Sequence, residues 1–263
     1  TQPLPRRRGL PFHYGFFVDE IAAGTPAAPT VERRTEFMDI TDFVWLGIGC
    51  NSNTRTLAIK IKEEMTQTEF MSDWVPLTNI TTFTRRFMFD MVGLPPYRMR
   101  GGGRITVSLR NTSDLAERVG MTLIGYLPGD KRPVLGQPVP YLIPSTVTVG
   151  AGAGRTTPVL DPEDTGDYPY VLTALGLDLE SSTAPLFNLF DPNGNPLSGP
   201  RLLCQSLFFS DGFSNLEPIY PLMVPAEFPS HRQVRWDLES TNDDAAQTLN
   251  TVFIGYQKRR GSV

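Results

Sequence analysis

The chain has 263 residues, of which 40% are hydrophobic, and a formal net charge of −4. That apolar content is enough to build a core and excludes a disordered polypeptide, while the mildly acidic balance excludes a dedicated nucleic-acid binder with a basic surface. The 24 prolines and 23 glycines break helices and punctuate strands, so the composition points to an all-β chain with many turns.

Residues 1–30 read as an extended N-terminal arm. Pro3, Pro5 and Pro11 favour an extended path, Arg6-Arg7-Arg8 forms a basic cluster, and Ala22 to Pro29 is an Ala/Gly/Pro tract. Between them lies Phe12-His13-Tyr14-Gly15-Phe16-Phe17-Val18, too apolar for a free linker. Two readings fit it: a strand of the first domain, or an arm docking on a neighbouring subunit through Phe12, Phe16 and Phe17. In the second reading Arg6, Arg7 and Arg8 rest on acidic surface or nucleic acid.

Residues 31–127 are expected to form a first β-sandwich. Phe43 to Ile48 is a continuous apolar run closed by the turn Asn51-Ser52-Asn53. Leu57, Ile59 and Ile61 alternate with Ala58, Lys60 and Lys62, the period of a half-buried strand. Phe83, Phe87 and Phe89 suggest another strand. Pro95-Pro96 and Gly101-Gly102-Gly103 then lead into Ile105, Val107 and Leu109. Helical signals are confined to Lys60–Thr68 and a short connector over Ser113–Val119.

Residues 128–167 form a Pro/Gly-rich linker or second arm, and residues 168–263 a second β-sandwich. The hairpin Val107–Ser113 with Leu123–Tyr126 is echoed by Trp236–Asn242 with Phe253–Tyr256. Leu109 and Leu238 stand 129 positions apart and Tyr126 and Tyr256 stand 130 apart, so the second turn holds one extra residue. At the spacing of 129, Leu46 matches Leu175 and Gly47 matches Gly176. The expected fold is therefore all-β: two tandem antiparallel β-sandwich or jelly-roll-like domains related by internal duplication, with extended arms.

Chemistry-bearing patterns are weak. His13 and His231 have no partner pattern, and no nucleophile elbow, phosphate loop or zinc helix occurs. Gly101–Arg104 precedes a strand rather than the helix a phosphate site needs, so a hairpin or bulge turn is expected. Asp191-Pro192-Asn193-Gly194-Asn195 opens like a calcium loop, but Pro196 and Leu202 occupy the positions of the required Gly and Glu, which leaves a tight turn. Asp161, Glu163, Asp164 and Asp167 form an acidic loop, a candidate for a hard cation or for the arginine arm of another copy. Cys50 and Cys204 read as two buried or half-buried thiols. Trp74, Tyr97 and Tyr220 are core or interface aromatics, or else a sugar-stacking set.

The succession Pro95–Tyr97, glycine turn, Ile105-Thr106-Val107-Ser108-Leu109-Arg110-Asn111-Thr112-Ser113, then Leu123-Ile124-Gly125-Tyr126 resembles β-sandwich virion proteins of tailed or icosahedral bacteriophages. The tandem pair is similar in outline to double jelly-roll capsid proteins, and to capsid-decorating or head-to-tail connecting proteins. The resemblance implies a non-enzymatic structural subunit without a cofactor. Its partners would be copies of itself and other virion proteins, with nucleic acid met only through the basic arm. No membrane span or signal peptide is read, so synthesis in a host cytoplasm is expected. The alternative is a tandem carbohydrate-binding module for host-surface sugars.

Overall fold

The computed structural model describes residues 10–23, 30–36, 42–51, 56–80, 86–128, 136–152, 155–156, 159–160, 167–179, 186–191, 193–195, 202–203, 219–230, 234–240 and 244–259. The first half carries ten strands. They are β1 (Leu10–Ile21), β2 (Thr30–Glu36), β3 (Phe43–Cys50), β4 (Leu57–Glu63) and β5 (Thr68–Glu69). Then come β6 (Val75–Pro76), β7 (Arg86–Met88), β8 (Tyr97–Met99), β9 (Arg104–Asn111) and β10 (Glu117–Leu127). The second half carries β11 (Val139–Val149), β12 (Arg155–Thr156), β13 (Val159–Leu160), β14 (Tyr170–Leu179) and β15 (Leu186–Leu189). It closes with β16 (Leu202–Leu203), β17 (Ile219–Phe228), β18 (Val234–Glu239) and β19 (Gln247–Gln257).

These strands build four antiparallel sheets. In the first half the orders are β1-β10-β3-β7, with β8 also on β3, and β2-β9-β4-β5, with β6 also on β4. In the second they are β11-β19-β14-β17 and β12-β18-β15-β16, with β13 also on β18. Both halves thus follow one scheme, in which the chain crosses repeatedly between two sheets and the last strand of each sheet inserts between that sheet's first two long strands: β10 between β1 and β3, β9 between β2 and β4, β19 between β11 and β14, β18 between β12 and β15. That is a jelly roll, present twice.

The period-2 pattern explains the cores. In β4, Leu57, Ile59, Ile61 and Glu63 are buried while Ala58, Lys60 and Lys62 are half-exposed, and each fully buried aliphatic side chain contributes roughly 1.5–3 kcal/mol. Trp45 stands edge-on to Phe70 and Phe89, with centroids 4.9 and 4.7 Å away. Its Nε1 donates to the Gly47 carbonyl at 2.8 Å. A second core gathers Tyr170, Leu172, Leu175, Trp236, Leu238 and Phe253.

The repeated Ile-Gly-Tyr has a packing cause. Along β10, Ile124 faces Gly47 and Gly125 faces Trp45, so Leu46 bulges out of register. Along β19, Ile254 faces Ala174 and Gly255 faces Leu172, so Thr173 does the same. A Cβ on Gly125 would stand 2.1 Å from the Val44 carbonyl oxygen, and one on Gly255 2.2 Å from that of Val171. Only glycine admits this approach.

Several expectations are corrected. Residues 1–30 are not an arm throughout: Leu10–Ile21 is an edge strand on β10, with Phe16 opposite Met121 and Val18 opposite Val119. Phe16, Val18 and Ile21 are buried, so apolar burial holds this segment in its own first jelly roll. Likewise the 128–167 linker contains β11, paired along its full length with β19. Lys60–Thr68 is not helical, because β4 runs to Glu63 and a turn with Gln67 at φ 53° leads into β5. The only helical pieces among the described residues are 3₁₀ turns at Leu77–Asn79 and Asp90–Val92.

Candidate assembly surface

The two jelly rolls meet at a seam. Leu142 of β11 donates its N–H to the Phe70 carbonyl at 2.9 Å and accepts from the Ser72 N–H at 3.0 Å. Asn79 donates from Nδ2 to the Asn250 carbonyl at 3.2 Å. Its own carbonyl oxygen lies over Gly176, 2.2 Å from where a Cβ would stand. Leu142, Ala174, Val252 and Ile254 point from the second half into the apolar cluster of the first. One sheet of the second jelly roll therefore has both faces covered, its own core on one side and the segment Phe70–Ile80 on the other.

Polar groups reinforce the seam. Gln137 pairs with the Arg98 backbone as a strand would, accepting from its N–H at 2.9 Å and donating to its carbonyl at 2.6 Å. Within the first half, Arg98 is held in place by its Nε reaching Asp42 Oδ2 at 2.7 Å, while Asp42 Oδ1 accepts from the Gly101 N–H at 3.0 Å. Arg259, just past β19, donates to Thr68 Oγ1 at 2.9 Å and lies over the Tyr168 ring at 5.2 Å.

On its outer face the first jelly roll's sheet β1-β10-β3-β7 carries exposed and half-exposed residues, among them His13, Phe17, Thr122 and Ile124. An open groove of about 710 Å³ runs across it, lined by His13, Gly15, Phe17, Gly49, Gly120 and Ile124 among others. Phe17 is 55% exposed there.

The residues singled out from sequence separate sharply. Arg6, Arg7 and Arg8 lie outside the described residues, as do Cys204, His231 and the acidic loop except Asp167. Phe16 belongs to the core, and Phe12 is half-buried, edge-on to Tyr14 at 4.9 Å. Of the three phenylalanines only Phe17 faces outward. Gly101–Gly103 forms a tight turn in which the Gly103 N–H donates to the Arg100 carbonyl at 3.1 Å and Gly102 has φ 75°. It carries the chain from one sheet to the other rather than closing a hairpin. At Asp191 the carboxylate accepts from the Asn193 N–H at 2.8 Å, the Asn195 N–H at 2.7 Å and Asn195 Nδ2 at 2.9 Å. These bonds, the Asn195 side chain first, hold its ionisation below the usual carboxylate range, and they define a tight turn. Cys50 is buried.

Of the aromatics singled out, Tyr97 and Trp74 are not exposed, and the side chain of Tyr220 lies outside the described residues. Tyr97 is buried and donates to Glu63 Oε2 at 2.9 Å. Trp74 is half-buried, with the Arg110 guanidinium over its ring at 5.9 Å. Glu63, itself buried, also accepts from Thr66 Oγ1 at 2.7 Å. Among the described residues no group of three His, Cys, Asp or Glu side chains is placed to hold a metal ion, and no helix is long and apolar enough to cross a membrane.

Fold and surface together define a tandem jelly-roll protein. No family model matches the sequence, and no curated protein does. Among solved structures, it is similar to the major capsid protein P2 of bacteriophage PM2, with 9% identity over 95% of this chain and 100% of that one, at a TM-score of 0.44. It is also similar to PBCV-1 VP54 as fitted into a reconstruction of the virophage Sputnik, at 9% identity over 97% and 95% of the two chains and a TM-score of 0.44. A β-porphyranase from Bacteroides plebeius matches at a TM-score of 0.20, with 35% of its chain covered.

Proposed function

We propose that this chain is a non-enzymatic structural subunit of a bacteriophage virion, assembling with copies of itself into a symmetric shell. The observation that carries this reading is the seam: two jelly rolls of one strand order are joined by backbone hydrogen bonds and a shared apolar cluster. Such a block has self-contained cores and broad sheet faces, the geometry from which repeating contacts are built. The matched hairpins and glycines are what a duplication within the chain would leave. Buried polar groups such as Glu63, Tyr97 and Asn111 fasten strands together. In this reading Arg6, Arg7 and Arg8 contact acidic surface of a neighbouring subunit, and the protein is made in the host cytoplasm and resides in the particle.

The test is to purify the full chain and measure its mass by multi-angle light scattering across concentration, with electron microscopy of the same fractions. Closed symmetric oligomers or shells are expected. A monomer at every concentration that is retained on a glycan array would overturn this reading in favour of a carbohydrate-binding module.

A further inference from the structure

A continuous run of polar contacts crosses the seam. It starts at Glu63, the buried end of β4, whose Oε2 accepts from Tyr97 at 2.9 Å and from Thr66 Oγ1 at 2.7 Å. Thr66 Oγ1 lies 2.8 Å from Thr68 Oγ1, and Thr68 accepts from Arg259 at 2.9 Å. Gln257 Oε1 steadies that guanidinium, accepting from its Nε at 3.2 Å and its Nη2 at 3.1 Å. The run therefore joins residues 63–68 of the first half to residues 257–259 of the second.

The direction of its protons follows from the groups at its ends. An ionised carboxylate only accepts, and a guanidinium only donates. Thr66 has one hydroxyl proton and gives it to Glu63, so Thr68 gives its own to Thr66 and accepts from Arg259. Both threonine hydroxyls thus point the same way, from cation to anion, and hydrogen bonds aligned in this manner polarise one another. Glu63 is 1% exposed, and a carboxylate so buried is stabilised by a compensating charge. Lys60 and Lys62 stand on the opposite face of β4. The charge of Arg259 is felt inside the cluster, where it opposes the rise in Tyr97 ionisation that burial, and then Glu63, produce.

The run also meets the backbone bonds of the seam. Two residues beyond Thr68, the Phe70 carbonyl accepts from the Leu142 N–H, and the Ser72 N–H donates back to Leu142. Leu142 pairs with Ile254 on β19, the strand that ends just before Lys258 and Arg259. The Lys258 N–H donates to the Pro169 carbonyl at 2.8 Å, which fixes this end of the chain on its own jelly roll.

We propose that Arg259 is the counter-charge of buried Glu63, acting through Thr68 and Thr66, and that this relay makes residues 258–259 a strap clasping residues 70–72 against β11. Arg259 is in this sense a positioning residue, and losing either charge loosens the seam beside Leu142. The inference goes beyond the assembly reading and does not depend on it.

The experiment measures amide hydrogen exchange in the full chain and in Arg259→Gln, Thr68→Val, Glu63→Gln and the double variant Thr68→Val with Arg259→Gln. The Ser72 and Leu142 amides report on the seam, and the β18 amides report on stability as a whole. In Arg259→Gln and in Thr68→Val both seam amides should exchange about tenfold faster, the factor for losing one hydrogen bond to a charged group. The β18 amides should be unchanged. The double variant should be no faster than either single one, because both changes break the same path. Glu63→Gln removes the charge while keeping an acceptor for Tyr97 and Thr66, and should match them. Unchanged seam amides in Arg259→Gln, effects that multiply in the double variant, or a rise shared equally by β18 would each overturn the proposal. Should Glu63→Gln fail to fold, the Thr68 and Arg259 variants decide.

Discussion

The carbonyl oxygen of Asn79 occupies the space above Gly176 that a side chain would need, 2.2 Å from the ideal Cβ position. This single approach locks the 3₁₀ turn of the first jelly roll onto the sheet of the second. Its neighbours are backbone atoms, which cannot swing aside as a flexible side chain would. Gly176→Ala should therefore destabilise the chain by roughly 1–3 kcal/mol, the usual cost of overpacking. Gly49→Ala, at the register-equivalent position where a Cβ would meet nothing nearer than Ile124 Cδ1 at 3.6 Å, should stay within about 0.5 kcal/mol of the native chain. Chemical denaturation of the two variants measures the contrast, and equal effects would show that the seam does not depend on this approach.

Asn111 explains why the Asn-Thr-Ser turn stands where it does. Its buried Nδ2 donates to the carbonyls of Ile21 at 3.1 Å and Leu115 at 2.8 Å, and its Oδ1 accepts from the Ser113 N–H at 2.9 Å. One side chain thus ties the end of β1 to the β9–β10 turn. Asn111→Ala orphans these groups and should cost about 2–4 kcal/mol. Asn111→Asp keeps the acceptor but sets a carboxylate against two carbonyls, and should not restore stability. Denaturant midpoints test both.

Stability should fall at alkaline pH. Burial, and then the neighbouring Glu63 carboxylate, push Tyr97 ionisation well above the usual tyrosine range, and burial followed by Tyr141 does the same for Tyr170. Raised folded values mean that this contribution is complete below the unfolded pKa of about 10. Above it the unfolded chain sheds protons the folded chain keeps, and stability drops by about 1.4 kcal/mol per pH unit for each tyrosine. Tyr97→Phe should reduce that slope by one tyrosine's share. Denaturation series from pH 9 to 11 measure it, and an unchanged slope would contradict the assignment.

Truncation separates arm from strand. Removing residues 1–9 should leave the unfolding temperature nearly unchanged, because β1 begins at Leu10. Removing 1–21 deletes buried Phe16, Val18 and Ile21 and strips β10 of one of its two partners, at roughly 5 kcal/mol or more. Calorimetry of the two truncations, with equal stability of both, would return the segment to the status of an arm.

Much of the fold was legible in single strands. Leu57, Ile59 and Ile61 alternate with polar neighbours, so β4 and its wet face follow from period alone. Leu109 and Leu238 lie on strands of matching place in the sheet orders, β9 and β18, and Ile124 and Ile254 precede the same bulge in their pairings with β3 and β14. The match of Gly47 with Gly176 did not hold. Register equates Gly176 with Gly49 and Gly47 with Ala174, because a two-residue slip preserves the side-chain face and leaves the alternation looking the same.

By itself the sequence determined the class, the turns and the faces of individual strands, since these depend on local backbone chemistry and on which residues avoid water. Only the tertiary structure decided partners. Phe16 finds Met121, and Leu142 reaches both Phe253's strand and Phe70, across separations that no local pattern encodes. The same distance hid the seam: no local pattern marks Gly176 as the residue on which the Asn79 carbonyl from the other half presses.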